Sequence, residues 1–207
     1  VAKTLVMAVL FGGAINLAQA AGDADAGKAK SAVCGACHGA DGNSMVPNFP
    51  KLAGQGAAYT LKQLQDIKSG ARQVPEMAGI VPGLSDQDMA DLAAYYAAQK
   101  VQVGAADPAQ VALGEKLFRA GKKEAGVTAC SACHGANGLG MPEAGFPALS
   151  GQHATYVETQ LKAFRAAGRE DAEGKRRTND GEAKMMQSTA GRLSDGDIKA
   201  LSSYING

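Results

Sequence analysis

The pentapeptide Cys34-Gly35-Ala36-Cys37-His38 returns 96 residues later as Cys130-Ser131-Ala132-Cys133-His134, and the two copies use all four cysteines of the 207-residue chain. No other feature constrains the fold as strongly. Two thiols three residues apart on a helical turn project to the same side, so both can bond to one flat group. Cys-x-x-Cys-His is the attachment pattern for c-type haem: each cysteine forms a thioether, and the adjoining imidazole binds the iron as proximal ligand. The small residues between the cysteines let the porphyrin lie against the backbone. A single four-thiolate zinc site is the competing reading. The long separation of the pairs and the histidine after each argue against it, and structural disulfides fit less well still.

The duplication extends beyond the motif. Phe49-Pro50-Lys51-Leu52-Ala53-Gly54-Gln55 matches Phe146-Pro147-Ala148-Leu149-Ser150-Gly151-Gln152 at an offset of 97, and Tyr59, Gln63 and Leu64 match Tyr156, Gln160 and Leu161. Leu84-Ser85-Asp86, with Asp88 and Tyr95, matches Leu193-Ser194-Asp195, with Asp197 and Tyr204, at 109, which places an insertion of 12 residues between Arg165 and Met185. An internal repeat of this kind means two domains. Each half alone is small enough for its core to be marginal, and a buried haem would supply the missing apolar volume. We expect residues 21–103 and 104–207 to be the domains, joined by a linker over Val101 to Asp107 that Gly104 and Pro108 punctuate.

The periodicity is helical throughout, and the expected class is all-α. Opening helices are expected over Ala24 to Val33 and over Pro108 to Ala120, the latter with proline in the favoured first position. Leu61, Leu64 and Ile67 mark one face of a helix from Ala57 to Ser69, and Val157, Leu161 and Phe164 mark one from Thr155 to Ala167. Ser85 with Asp88 and Ser194 with Asp197 read as capping boxes with aspartate in place of glutamate. They open closing helices whose core stripes are Met89, Leu92 and Tyr96, and Ile198, Leu201 and Ile205.

Lys3, an apolar run from Leu5 to Phe11 and the ending Ala18-Gln19-Ala20 have the form of a secretory signal peptide. We therefore expect residues 1–20 to be removed and the mature protein to act in the periplasm, where thiols can meet haem. The halves carry formal charges of only −1 and +1. That leaves no polybasic surface for nucleic acid.

A histidine-ligated haem needs either a second axial ligand, which closes the iron for electron transfer, or an open face for ligand chemistry. His153 has glycine as its first-half counterpart and reads as a helix-start residue. Of the seven methionines, Met7 lies in the leader, and Met45 and Met141 lie in loops soon after the motifs. Met89 pairs with Ile198 and Met185 with Glu76, neither of which could serve in both halves. Met77 and Met186 recur in register, each seven residues before the Leu-Ser-Asp turn. They are the expected distal ligands.

With Cys-x-x-Cys-His, Phe-Pro-x-Leu-x-Gly-Gln and a methionine before Leu-Ser-Asp in each half, residues 21–207 resemble two tandem class I cytochrome c domains of the dihaem cytochrome c4 family. The resemblance implies two covalent haem c groups, each held by a cysteine pair (Cys34 and Cys37, Cys130 and Cys133). Each iron would be ligated by histidine and methionine (His38 and Met77, His134 and Met186). It also implies a periplasmic one-electron carrier of a respiratory chain, not an enzyme. The redox partners would be a donor such as a membrane quinol–cytochrome c reductase and an acceptor such as a terminal oxidase, and the protein would associate peripherally with the membrane surface. By the same resemblance the domains relate by a pseudo-twofold axis, Pro50 and Pro147 offer carbonyls to the Nδ1 protons of His38 and His134, and Gly27 and Gly114 let the opening helices cross closely against Tyr95 and Tyr204. The alternative is a dihaem enzyme, or the cytochrome subunit of one, such as a peroxidase or a sulfur-compound oxidoreductase. The absence of a spare cysteine and the filled distal positions weigh against it.

Overall fold

The computed structural model describes residues 22–169 and 174–207. The expected leader, Met7, the expected first mature residue Ala21 and residues 170–173 of the expected insertion lie outside the described residues. Among the described residues the only extended pairings are two isolated antiparallel bridges, Lys122 with Val127 and Met141 with Phe146. The rest is helix and loop.

The first half contains α1 (Ala24–Lys30), α2 (Ala32–His38), α3 (Ala57–Ser69) and α4 (Asp86–Ala97). The second contains α5 (Pro108–Ala120), α6 (Ser131–His134), α7 (Ala154–Gly168), α8 (Met185–Ala190) and α9 (Asp195–Asn206). Opening and closing helices cross in both halves, α1 on α4 and α5 on α9, while α3 packs on α4 and α7 on α8 and α9. Among the described residues no helix is long and apolar enough to cross a membrane.

The capping boxes form as expected. Ser85 and Ser194 each accept the N–H of the aspartate three residues on, and that aspartate accepts the serine N–H in return. Both core stripes are buried: Met89, Leu92 and Tyr96 are 2% exposed or less, and Ile198, Leu201 and Ile205 join a second cluster with Leu117, Phe118, Phe164 and Leu193. One expectation changes. The first opening helix breaks at Ser31, whose side chain and N–H both turn back to the Lys28 carbonyl, and the chain resumes as a separate helix carrying the cysteines. In α3 the deepest side chains are Thr60 and Gln63, the latter turned toward Arg177 and Asn179 of the second half, whereas Leu61, Leu64 and Ile67 are half-buried. The second half also has a loop that the first lacks, since sixteen positions separate Gly114 from Cys130 and only seven separate Gly27 from Cys34.

The helix crossings depend on glycine. A Cβ on Gly27 would overlap the Asp91 carbonyl and stand 2.8 Å from the Tyr95 Cβ, and one on Gly114 would overlap the Ala200 carbonyl and stand 2.5 Å from the Tyr204 Cβ. Both obstacles lie at or next to the backbone and cannot rotate away. Gly114→Ala is therefore expected to push α5 off α9 and cost about 2–3 kcal/mol, the cost of overpacking. Thermal unfolding followed at the haem absorption checks it, and an unchanged midpoint would mean that the helices separate freely.

The inserted segment latches the halves together. Arg177 is 9% exposed, its guanidinium lies 4.6 Å from the centre of the Phe164 ring, and it donates to Gln160 (2.8 Å) in its own half and to Tyr59 and Gln63 (both 2.9 Å) in the other. Arg72 does the converse, donating to Gln63 (2.8 Å) in its own half and to the Tyr156 hydroxyl (2.8 Å) across the interface. From the same segment, Asn179 reaches Gln63 and Asp66 of the first half, and Asp180 accepts the Gln187 N–H of α8 at 2.9 Å. The linker is pinned on both sides: the Gln102 N–H donates to Asn43 and the Gly104 N–H to the Asn206 carbonyl, each at 2.8 Å.

Candidate functional site

Each Cys-x-x-Cys-His sits on a helical turn that ends at a glycine with positive φ, Gly39 or Gly135, both at 80°. A side chain at Gly39 would also meet the Asn43 carbonyl oxygen at 2.6 Å, so glycine is required for the exit from the turn. The chain then loops back, and the Gly42 carbonyl accepts the Leu52 N–H as the Gly138 carbonyl accepts the Leu149 N–H, both at 2.7 Å. This pins each Phe-Pro-x-Leu segment beneath its histidine.

The geometry of the two histidines is the same. Nδ1 of His38 donates to the Pro50 carbonyl and Nδ1 of His134 to the Pro147 carbonyl, each at 2.9 Å. The edges of Phe49 and Phe146 meet the rings at centroid distances of 6.2 and 6.3 Å. Burial lowers the pKa of both imidazoles, with the carbonyls acting in the opposite direction. The rings are thus held neutral, with the Nδ1 proton committed and Nε2 left as the lone-pair nitrogen. Among the described residues neither Nε2 makes a hydrogen bond.

None of the four cysteines forms a disulfide. Cys34 packs on the Leu92–Tyr95–Tyr96 cluster and Cys130 on the second core, where burial pushes the Cys130 thiol up to about 11. The two pairs remain in separate halves, and among the described residues no three cysteine, histidine or acidic side chains converge as a metal cluster would require. The four-thiolate zinc reading therefore has no geometry to support it. Two cysteines on one turn beside a buried, tautomer-fixed imidazole are the donor set that a covalently attached haem requires.

Met77 ends a 3₁₀ turn, Pro75–Met77, and Met186 lies in the first turn of α8, packed against the core that holds Cys130. Both are half-buried, whereas Met185 is 45% exposed and Glu76 is exposed. The equivalent segments differ because Pro75 and Pro82 confine the first to two short turns, while the second has no proline and continues as a helix. Register alone does not set aside Met45 and Met141, which both follow the first motif cysteine by eleven residues. Exposure separates them, at 90% and 38%. His153 starts α7 as expected, but its Nε2 also meets the Ser44 carbonyl of the first half at 2.9 Å. It serves as an interdomain contact.

Fold and site together define a tandem pair of class I cytochrome c units. The family model for cytochrome c matches residues 24–99 and again 111–207. The chain is 60% identical over 205 residues to a cytochrome c4 of Pseudomonas aeruginosa, covering 99% of this chain and 98% of that one. Its fold matches the crystal structure of reduced recombinant cytochrome c4 from Pseudomonas stutzeri with a TM-score of 0.85 at 56% identity, covering 90% of this chain and 99% of that one. A protein of Stutzerimonas stutzeri named thiosulfate dehydrogenase electron acceptor is 39% identical over 176 residues, covering 83% of this chain and 76% of that one. The chain belongs to the cytochrome c4 family, dihaem c-type cytochromes that carry electrons, with two haems bound covalently through the Cys-x-x-Cys-His motifs.

Proposed function

We propose that this protein is a periplasmic one-electron carrier of a respiratory chain in which Cys34 and Cys37, and Cys130 and Cys133, form the thioethers. His38 and His134 are the proximal ligands, and Met77 and Met186 the distal ones. Each haem, when bound, takes up and returns a single electron. The polypeptide fixes the histidine tautomers, supplies a thioether that favours the reduced state and keeps water from the rings. The observation that carries this reading is the pair of buried imidazoles with their Nδ1 protons committed, each followed in its half by a half-buried methionine in register. Residues 1–20 act as the export signal, and the domains divide between Val103 and Gly104. The partners are redox proteins of the chain, such as a quinol–cytochrome c reductase and a terminal oxidase, and the protein associates peripherally with the membrane surface. The protein is not itself an enzyme. The named electron acceptor among its relatives favours one second reading, that the donor is a sulfur-compound oxidoreductase.

The test is an intact mass with ligand-binding spectroscopy. The purified protein is expected to begin at Ala21, to carry two haem masses, to be low-spin at both irons and to resist carbon monoxide when reduced. One haem, bound zinc, or rapid carbon monoxide binding would overturn the closed-carrier assignment.

A further inference from the structure

The peptide unit that receives each histidine proton is held on its other side by the opposite half. The Pro50 carbonyl accepts from His38, and the N–H of the same peptide unit, on Lys51, donates to Oε1 of Gln152 at 2.8 Å. The Pro147 carbonyl accepts from His134, and the N–H of that peptide unit, on Ala148, donates to Oε1 of Gln55 at 2.8 Å. Each glutamine closes the exchange through its amide: Gln152 Nε2 donates to the Lys51 carbonyl and Gln55 Nε2 to the Ala148 carbonyl, both at 2.9 Å. Each Oε1 also accepts the N–H of its own next residue, His153 at 3.1 Å and Gly56 at 3.0 Å, so the side-chain amides are fixed from both ends. Gln152 is 9% exposed.

We propose that Gln152 and Gln55 are cross-domain positioning residues, each setting the electron density of the proximal histidine in the half to which it does not belong. Hydrogen bonds in series polarise one another. An acceptor on the Lys51 N–H makes the Pro50 carbonyl a stronger acceptor, which draws the Nδ1 proton of His38 outward and makes the imidazole a more basic ligand. A more basic ligand stabilises the ferric state. Removing Gln152 therefore raises the potential of the haem on His38, and removing Gln55 raises that of the haem on His134. Loosening the interface would do the reverse, because water around the ring favours the more highly charged ferric iron. The sign of the shift and the half in which it falls both identify the mechanism.

The inference rests on His38 and His134 being the proximal ligands. The experiment is spectroelectrochemistry of the full dihaem protein, with paramagnetic NMR assigning each wave to its haem and reporting the ligated imidazoles. Gln152→Leu is expected to favour reduction of the His38 haem three- to tenfold at fixed applied potential, about 30–60 mV, with the His134 haem nearly unmoved. Gln55→Leu should give the mirror image. Gln152→Glu keeps the acceptor oxygen and makes it stronger, so it is expected to shift the His38 haem the opposite way and covers the case in which the leucine variant fails to assemble. A shift in the half that carries the substitution, a fall at both haems, or no differential shift overturns the proposal. Loss of the imidazole resonances from the unsubstituted protein would instead overturn the ligand assignment beneath it.

Discussion

Met186→Ala is expected to abolish the weak sulfur-to-iron charge-transfer band of the second haem and to lower that haem's potential, whereas Met185→Ala leaves both nearly unchanged. Neighbouring residues on a helix point about 100° apart, so only one of the two sulfurs can face the ring. Met186 packs against the core that also receives Cys130, and Met185 is 45% exposed. Losing thioether ligation removes the interaction that favours ferrous iron. Lys184, immediately before the pair, has a φ of 46° and holds the start of α8 in a left-handed turn, which discourages a one-residue slip. The double replacement controls for that slip. If Met185→Ala alone removes the band, the ligand of the second domain has been misassigned.

The second large effect is expected at Arg177. Replacement by methionine keeps much of the contact with Phe164 but removes the charged donor from the Tyr59 hydroxyl and leaves Gln63 and Gln160 with Arg72 as their remaining charged donor. Hydrogen bonds to a charged group contribute about 1.5–3 kcal/mol each, and partial repair through Arg72 and Asn179 brings the net loss to about 3 kcal/mol. For a chain of this size that lowers the unfolding midpoint by about 6–12 °C. The effect should reach the second haem, because Asp180, three residues on, accepts the N–H of Gln187 beside Met186. Calorimetry together with the Met186 absorption band tests both parts. An unchanged midpoint would mean that the latch contributes little to holding the halves together.

How much of this was legible in the sequence depends on the range of the interaction. The bounds of α3 and α5 and the starts of α4 and α9 follow from local signals, namely the apolar period, Pro108 and the two Ser-x-x-Asp boxes, and the structure agrees with them. The break at Ser31 was hidden because an alanine-rich run has no reason of its own to stop there, and the stop comes from hydrogen bonds back to Lys28. Helix α8 was missed because six residues do not make a stable helix alone, and Asp180 and the core supply what they lack. The loop before α6 falls where no motif marks the repeat, so the change of offset passed unseen. The glutamine exchange and the arginine latch join residues more than 80 apart. Their signal was present nonetheless: Gln55 and Gln152, Tyr59 and Tyr156, and Gln63 and Gln160 are polar residues that recur in register outside the Cys-x-x-Cys-His motifs.

That recurrence bears on ancestry. The segment Lys51 to Gln55 contacts its own counterpart, Ala148 to Gln152, each giving the bonds that the other receives, which is the self-complementary arrangement of an isologous homodimer. Two free copies of one such unit, meeting through so few bonds, would separate at cellular dilution. A connection as short as the one from Val101 to Asp107 raises their effective concentration to the millimolar range and keeps them paired. Once tethered, the copies no longer had to stay identical. Lys51, buried with its ammonium on the Gln102 carbonyl, stands where the other half has Ala148. The joined chain could thus place a charge beside one histidine turn and not the other, something no symmetric dimer of a single gene product can do.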